Sequence, residues 1–275
     1  MKHKSAILCF LLLIAGALLG QTHNVIPSSD AIANIQTPRT DTWTAFQNPA
    51  SLVQTNPLQV AVQYENRYLL AALNTAAFQV AYSNPYVNVG GGFSFFGYSK
   101  YQEMLAGIAL ARSFNRFSIG LQINYMTIYC GDEIKYRGMV FPQVGATVDI
   151  TQHLTLGVHA FNPFLQKIRV DGELQKSLPS IYSVAMDYRF AEHLRWAVQA
   201  DYDILTTFRI ATAVEWQAIE RLTLKLGTYY HQQFVGCMGL SVCWDQLTLT
   251  TNFELNPRLG VTCQARLLYM LPCDE

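Results

Sequence analysis

The chain has 275 residues, 51% of them hydrophobic and only 14% charged, where an ordinary soluble domain carries roughly 25% charged residues. Its 19 Lys and Arg balance its 19 Asp and Glu, which excludes a basic footprint for nucleic acid and an acidic tail. So little charge, with 15 Tyr and 15 Phe, also excludes a disordered chain or a coiled coil and points to a membrane protein.

Lys2 and Lys4 precede the apolar run AILCFLLLIAGALL, Ala6 to Leu19. The run is shorter than the roughly 20 residues a spanning helix needs. Residues 1–20 therefore read as a signal peptide ending at Gly20, and the remainder as exported. Beyond Gly20, polar residues interrupt every apolar stretch before it reaches spanning length. An exported, apolar chain of this kind has one membrane solution, a closed β-barrel whose backbone groups pair between strands. A secreted β-sandwich is the competing fold.

Residues 21–57 do not alternate and cannot span. They contain TPRTDTWTAFQNPASLVQTNP, in which Trp43, Phe46, Asn48, Pro49 and Ala50 form a compact group. A segment of this composition ahead of a barrel is expected to be a hatch, lying in the lumen or beneath it.

From Leu58 the sequence runs at period two. In FSIGLQINYMTIY, Phe117, Ile119, Leu121, Ile123 and Tyr125 fall on one face, with Ser118, Gly120, Gln122 and Asn124 on the other. This alternation predicts about fourteen transmembrane strands over residues 58–271, with twelve as the alternative, and a short tail at 272–275. The strands are expected near 58–66, 75–82, 87–98, 103–115, 117–129, 139–151, 154–162, 180–190, 193–203, 207–217, 221–230, 234–244, 246–254 and 260–270. Connections after even-numbered strands are uniformly short, whereas several after odd-numbered strands are long, above all Pro163–Pro179. Outer-membrane barrels have short periplasmic turns and longer extracellular loops, which places the N-terminus in the periplasm of a Gram-negative cell.

The large apolar sets should face outer-membrane lipid, with Trp196, Trp216, Trp244, Tyr202, Tyr230 and Tyr269 as candidate aromatic girdles. The charges fall on the opposite parity. Glu65, Asp187, Arg189, Arg195, Asp201, Arg209, Glu215, Lys225, Glu254 and Arg266 are expected to form a luminal network of paired charges. Arg112 alone sits on the apolar parity, near a strand end where it can reach the interface. Inward glycines at 90, 92, 107, 120, 145 and 157 leave room for a luminal segment. VGGGFS, Val89 to Ser94, has no following Lys-Ser/Thr and no helix, so it reads as a place of close approach and not as a phosphate loop.

The stretch AFQNPASL, Ala45 to Leu52, resembles the Asn-Pro-Ala hatch motif of the PorV/PorQ family of Bacteroidota outer-membrane proteins, which is related to the long-chain fatty-acid transporters. FPQVGATVDIT and LTLGVHAFNPF, within Phe141 to Phe164, are similar to that family's mid-barrel repeat. The resemblance implies a non-enzymatic accessory of type IX secretion that binds cargo or secretion-machinery proteins. The relatives imply a second reading, a transporter for hydrophobic small molecules with the hatch as gate, which would need a continuous apolar pocket behind Trp43 and Phe46. A third is a structural subunit of another outer-membrane complex.

No cofactor is expected. The mature histidines are scattered and no HExxH, CxxC or Cys/His cluster appears. Five mature cysteines, Cys130, Cys237, Cys243, Cys263 and Cys273, make no disulfide framework.

Overall fold

The computed structural model describes residues 25–38, 42–54, 58–84, 86–131, 134–169, 175–205 and 208–271. The expected signal peptide and C-terminal tail lie outside the described residues, as do His23 and Cys273. Sixteen strands follow in order among the described residues. They are β1 Leu58–Asn66, β2 Asn74–Tyr82, β3 Asn88–Tyr98, β4 Tyr101–Phe114, β5 Phe117–Cys130, β6 Ile134–Asp149, β7 Leu154–Phe161, β8 Lys167–Arg169, β9 Gln175–Ser177, β10 Ile181–Ala191, β11 Leu194–Asp203, β12 Phe208–Ile219, β13 Leu222–His231, β14 Gln233–Trp244, β15 Leu247–Asn256 and β16 Gly260–Met270.

Fourteen of them close into one antiparallel barrel in chain order, and β8 with β9 forms a separate hairpin within the β7–β10 connection. Closure comes from β1, which pairs with β2 on one edge and with β16 on the other, from Gln59 opposite Met270 to Asn66 opposite Cys263. A closed ring leaves no open sheet edge in hydrocarbon. The number fourteen, not twelve, is what the alternation supports once every outward face is counted.

Alternation decides which side chains meet lipid. Along β5, Ile119, Leu121, Ile123 and Tyr125 are exposed while Ser118, Gln122, Asn124 and Met126 are buried. Val62, Tyr64, Ile108, Val158, Val184, Val214 and Leu226 repeat the pattern around the ring. A contiguous exposed apolar belt of this extent would aggregate in water and is stable against acyl chains. Trp216 and Trp244 flank it at one end, Tyr202 and Tyr230 at the other. Arg112 is exposed on this face and lies over the Phe114 ring at 5.5 Å.

One end of the barrel carries two-residue turns at 115–116, 192–193, 220–221 and 245–246; the other carries 67–73 and 162–180. Asn115 and Asp245 take positive φ in their turns, a conformation these short polar residues tolerate. Strand β6 begins five residues ahead of the expected 139 and pairs with β5 up to Ile134. On its other edge it pairs with β7 only from Gln143 to Asp149. Pro142 ends that ladder: its carbonyl faces β7 and accepts from the Asn162 amide at 3.2 Å, but on the same side it has no N–H to give.

Candidate functional site in the plugged lumen

The described part of residues 25–54 lies inside the barrel. Trp43, Phe46, Asn48, Pro49 and Ala50 are all buried, and Trp43 and Phe46 rank among the largest fully buried side chains. Among its described residues this plug has no regular structure beyond two short 3₁₀ turns, Ile32–Asn34 and Pro49–Gln54. It packs against the wall of β2 to β6, in one cluster with Ala81, Phe96, Leu105, Met126 and Phe141. Inward glycines make this approach possible. A side chain at Gly90 would overlap Trp43 and Leu52, at Gly120 the Pro49–Ala50 backbone, at Gly145 Asn48, and at Gly157 Thr37. Gly90 and Gly92, alternate residues of the triple glycine in β3, are thus a seat for the plug, the second against Ala45 and Phe46.

An irregular segment packed inside a barrel must find partners for its backbone amides and carbonyls. The barrel supplies them from inward side chains. Gln79 donates to the Trp43 carbonyl at 2.7 Å and accepts from the Ala45 amide at 2.8 Å. Gln63 and Gln264 donate to the Ser28 carbonyl at 2.7 and 3.3 Å, Gln199 accepts from the Thr37 amide at 3.1 Å, and Gln143 donates to the Gln47 carbonyl. Lys225 and Asn252 donate to the Asp30 carbonyl at 2.8 and 3.1 Å. The Asn48 amide donates to the Thr37 carbonyl and its oxygen accepts from the Ala50 amide, so this side chain ties the plug to itself.

The luminal charges divide into three groups. Arg266, fully buried, pairs with Asp30 at 3.2 Å and donates to the Thr44 hydroxyl at 2.6 Å and the Trp43 carbonyl at 3.0 Å. At the short-turn end Arg195 pairs with Asp187 and stands opposite Glu215, while Arg189 is exposed at the end of β10. At the other end Arg67 pairs with Glu65 at 2.8 Å, and Arg209 pairs with Asp201 at 2.6 Å. Arg209 also donates to the Ala33 carbonyl and stacks on the Tyr229 ring at 4.6 Å; the Tyr229 hydroxyl donates to Glu254 at 3.1 Å.

That last group surrounds a cavity of about 200 Å³ between the plug and strands β7 to β1, toward the long-loop end. One part of its wall is apolar, from Ile26, Phe46, Phe161, Pro179 and Ile181. The rest is polar, with Glu65, Asp201, Asp203, Glu254 and the two arginines. Where the transporter reading expects a continuous apolar pocket behind Trp43 and Phe46, the described residues place a mixed cavity beside Phe46, and Trp43 packs onto Gly90. The physical reason is that the inward parity of the C-terminal strands carries the charges. Tyr68, in the 67–73 loop, also lines it, and burial lifts its phenol above the usual range, so it stays neutral.

Two histidines that look scattered in the sequence face one cavity. His159 and His231 both line the cavity. Neither His159 Nε2 nor His231 Nδ1 has a hydrogen-bond partner among the described residues. Inward parity is the available signal for both: His159 lies on the inward set of β7, and His231 continues the set Lys225, Gly227, Tyr229 to the tip of β13. Among the described residues no three His, Cys, Asp or Glu side chains are placed to hold a metal. Cys130, Cys237, Cys243 and Cys263 are free thiols.

No family model matches the chain, and no curated protein matches it. Solved structures do. A chain described as the CymD monoaromatic hydrocarbon channel aligns with a TM-score of 0.65 at 8% identity, over 91% of this chain and 98% of that one. A Pseudomonas aeruginosa FadL homologue aligns at 0.60 and 11% identity, over 87% and 96%. The Pseudomonas putida toluene transporter TodX aligns at 0.58 and 9%, over 88% and 96%. At such identities the likeness establishes a shared barrel fold. It lends nothing to PorV/PorQ or to type IX secretion.

Proposed function

We propose that this protein is a non-enzymatic outer-membrane channel for hydrophobic small molecules, with residues 25–54 as the plug that controls passage. The observation that carries this reading is the half-apolar cavity at one mouth of a barrel whose middle is closed by its own N-terminal segment. A solute binding there sits between the loops and the plug, where a transported molecule would pause. The nearly end-to-end likeness to barrels described as hydrocarbon channels supports the same reading. We place the N-terminus in the periplasm and the cavity at the cell surface, in keeping with the short turns at the opposite end.

Hydrophobic solutes are slowed chiefly by the lipopolysaccharide leaflet, so the test belongs in cells. Expression in a Gram-negative host with an intact outer membrane should raise the uptake rate of a small aromatic alcohol at least severalfold over an empty vector. The purified protein in planar bilayers should show little steady ion conductance. Unchanged uptake would overturn the channel reading, and an open, ohmic pore would overturn the plug. Recovery of a stoichiometric protein partner with unchanged uptake would return the secretion-accessory role to first place.

A further inference from the structure

We infer that the cavity at the long-loop end is built for a hydrophobic molecule carrying a protonated amine, a choice of substrate class that rests on the channel reading above. The first observation is charge. Among the described residues four carboxylates line the cavity, Glu65, Asp201, Asp203 and Glu254, against two guanidinium groups. Both guanidinium groups are committed, Arg67 to Glu65 and Arg209 to Asp201 and the Ala33 carbonyl. Glu254 takes a hydrogen bond from Tyr229 and belongs to no ion pair among the described residues. It stands on the same inward face as Glu65, the two being opposite Thr262 and Gln264 on the intervening strand β16. With Glu65 already held by Arg67, Glu254 is the carboxylate left to meet an incoming cation in this partly desolvated site.

The second observation is independent of charge. His159 is only 8% exposed, lines the cavity, and leaves Nε2 without a partner among the described residues. A buried polar atom left unpaired costs on the order of 1–3 kcal/mol, so such an atom on a cavity wall marks where a ligand group completes the site. A neutral imidazole offers one acceptor nitrogen, and an ammonium offers three donors with no acceptor. His231 Nδ1 repeats the feature on the cavity wall.

The third is shape. A cavity of about 200 Å³ suits a single aromatic ring with a short side chain, since roughly 150 Å³ already holds a benzene. Phe46, Phe161, Ile26 and Ile181 would cover the ring, and Tyr68 borders the polar part, where an ammonium gains from an aromatic π-cloud. A plain hydrocarbon would leave His159 Nε2 unpaired and Glu254 with its Tyr229 hydrogen bond alone. An organic acid would meet Glu254.

Three probes with one apolar body and different charge test this: 2-phenylethylammonium, 2-phenylethanol and 3-phenylpropionate. Each is titrated at pH 7 into the full chain in detergent micelles and followed by calorimetry. The amine should bind at least tenfold more tightly than the alcohol and the carboxylate more weakly than either. Raising salt from 0.05 to 0.5 M should weaken the amine severalfold and leave the alcohol alone, a readout that needs no variant. Glu254→Gln, which keeps the acceptor for Tyr229, should bring the amine down toward the alcohol. Equal binding of all three, or preference for the carboxylate, overturns the inference. Cellular uptake separates it from the channel reading: if the alcohol enters cells faster but the three bind alike, passage stands and the amine site falls. If the amine binds selectively and no probe enters faster, the site stands and passage falls.

Discussion

Arg266 holds the plug through three contacts made from a position with almost no solvent: the Asp30 carboxylate, the Thr44 hydroxyl and the Trp43 carbonyl. Arg266→Met keeps the length of the side chain, removes all three contacts and takes the guanidinium away from Asp30. Breaking such a buried pair costs about 3–5 kcal/mol, so the undocked plug should become at least a hundredfold more populated. Limited proteolysis in micelles would read this as faster cleavage within residues 25–54, with barrel strands still protected. Asp30→Asn in the same chain should recover part of the loss. The glycines give a second, steric test. Gly120→Val drives a side chain into the Pro49–Ala50 backbone and should release the plug, whereas Gly236→Val meets nothing within 4 Å and should leave it docked. The inward charges are legible in the sequence through parity alone. That inward glutamines such as Gln63, Gln79 and Gln199 act as the plug's backbone partners is not, because a glutamine in a strand carries no mark of what it faces.

Each strand is legible to the extent that one of its faces is greasy. Strand β5 is readable almost to the residue because five outward apolar positions alternate without a break. Strand β6 extends past its sequence signal: Ile134–Gly138 rises beyond the apolar belt, where no lipid demands alternation, and pairing with β5 alone keeps it extended. Strands β8 and β9 span three residues each, too few to show a period. The same logic predicts a depth-dependent cost on the outer face. Leu226, mid-strand in β13 and 66% exposed, faces the centre of the hydrocarbon, while Ile219, 63% exposed, ends β12. Leu226→Lys should destabilise the barrel by roughly 2–4 kcal/mol and Ile219→Lys by about 0–1 kcal/mol. Reversible guanidinium unfolding in lipid vesicles measures both. Equal costs at the two depths would mean that the apolar belt does not lie across the bilayer.

The lumen holds the plug on two sides and opens at one end. Strands β2 to β6 pack against the Trp43–Leu52 stretch and β11 to β14 against Ile32, Ala33 and Ile35, while toward the long-loop end β7 to β1 leave a cavity ringed by charge. A solute resting in that cavity is separated from the short-turn end by the plug itself, so passage requires either that the plug shift or that the solute leave sideways. The two routes make opposite predictions for a tethered plug. Ala33 and Gly227 face one another, and a Cβ built at Gly227 lies 3.3 Å from that of Ala33, close to the roughly 3.5–4.5 Å that a disulfide spans. Ala33→Cys with Gly227→Cys, in a chain also carrying Cys237→Ala to remove the thiol paired opposite Gly227, should form a bond that fixes the plug to β13. If the plug is the gate, oxidation should abolish the uptake of a small aromatic solute and reductant should restore it, with cavity binding unchanged throughout. If uptake persists in the oxidised chain, the exit is in the wall. The place to look is then the edge of β6 above Pro142, where the ladder to β7 stops and the barrel gives up its continuous hydrogen bonding.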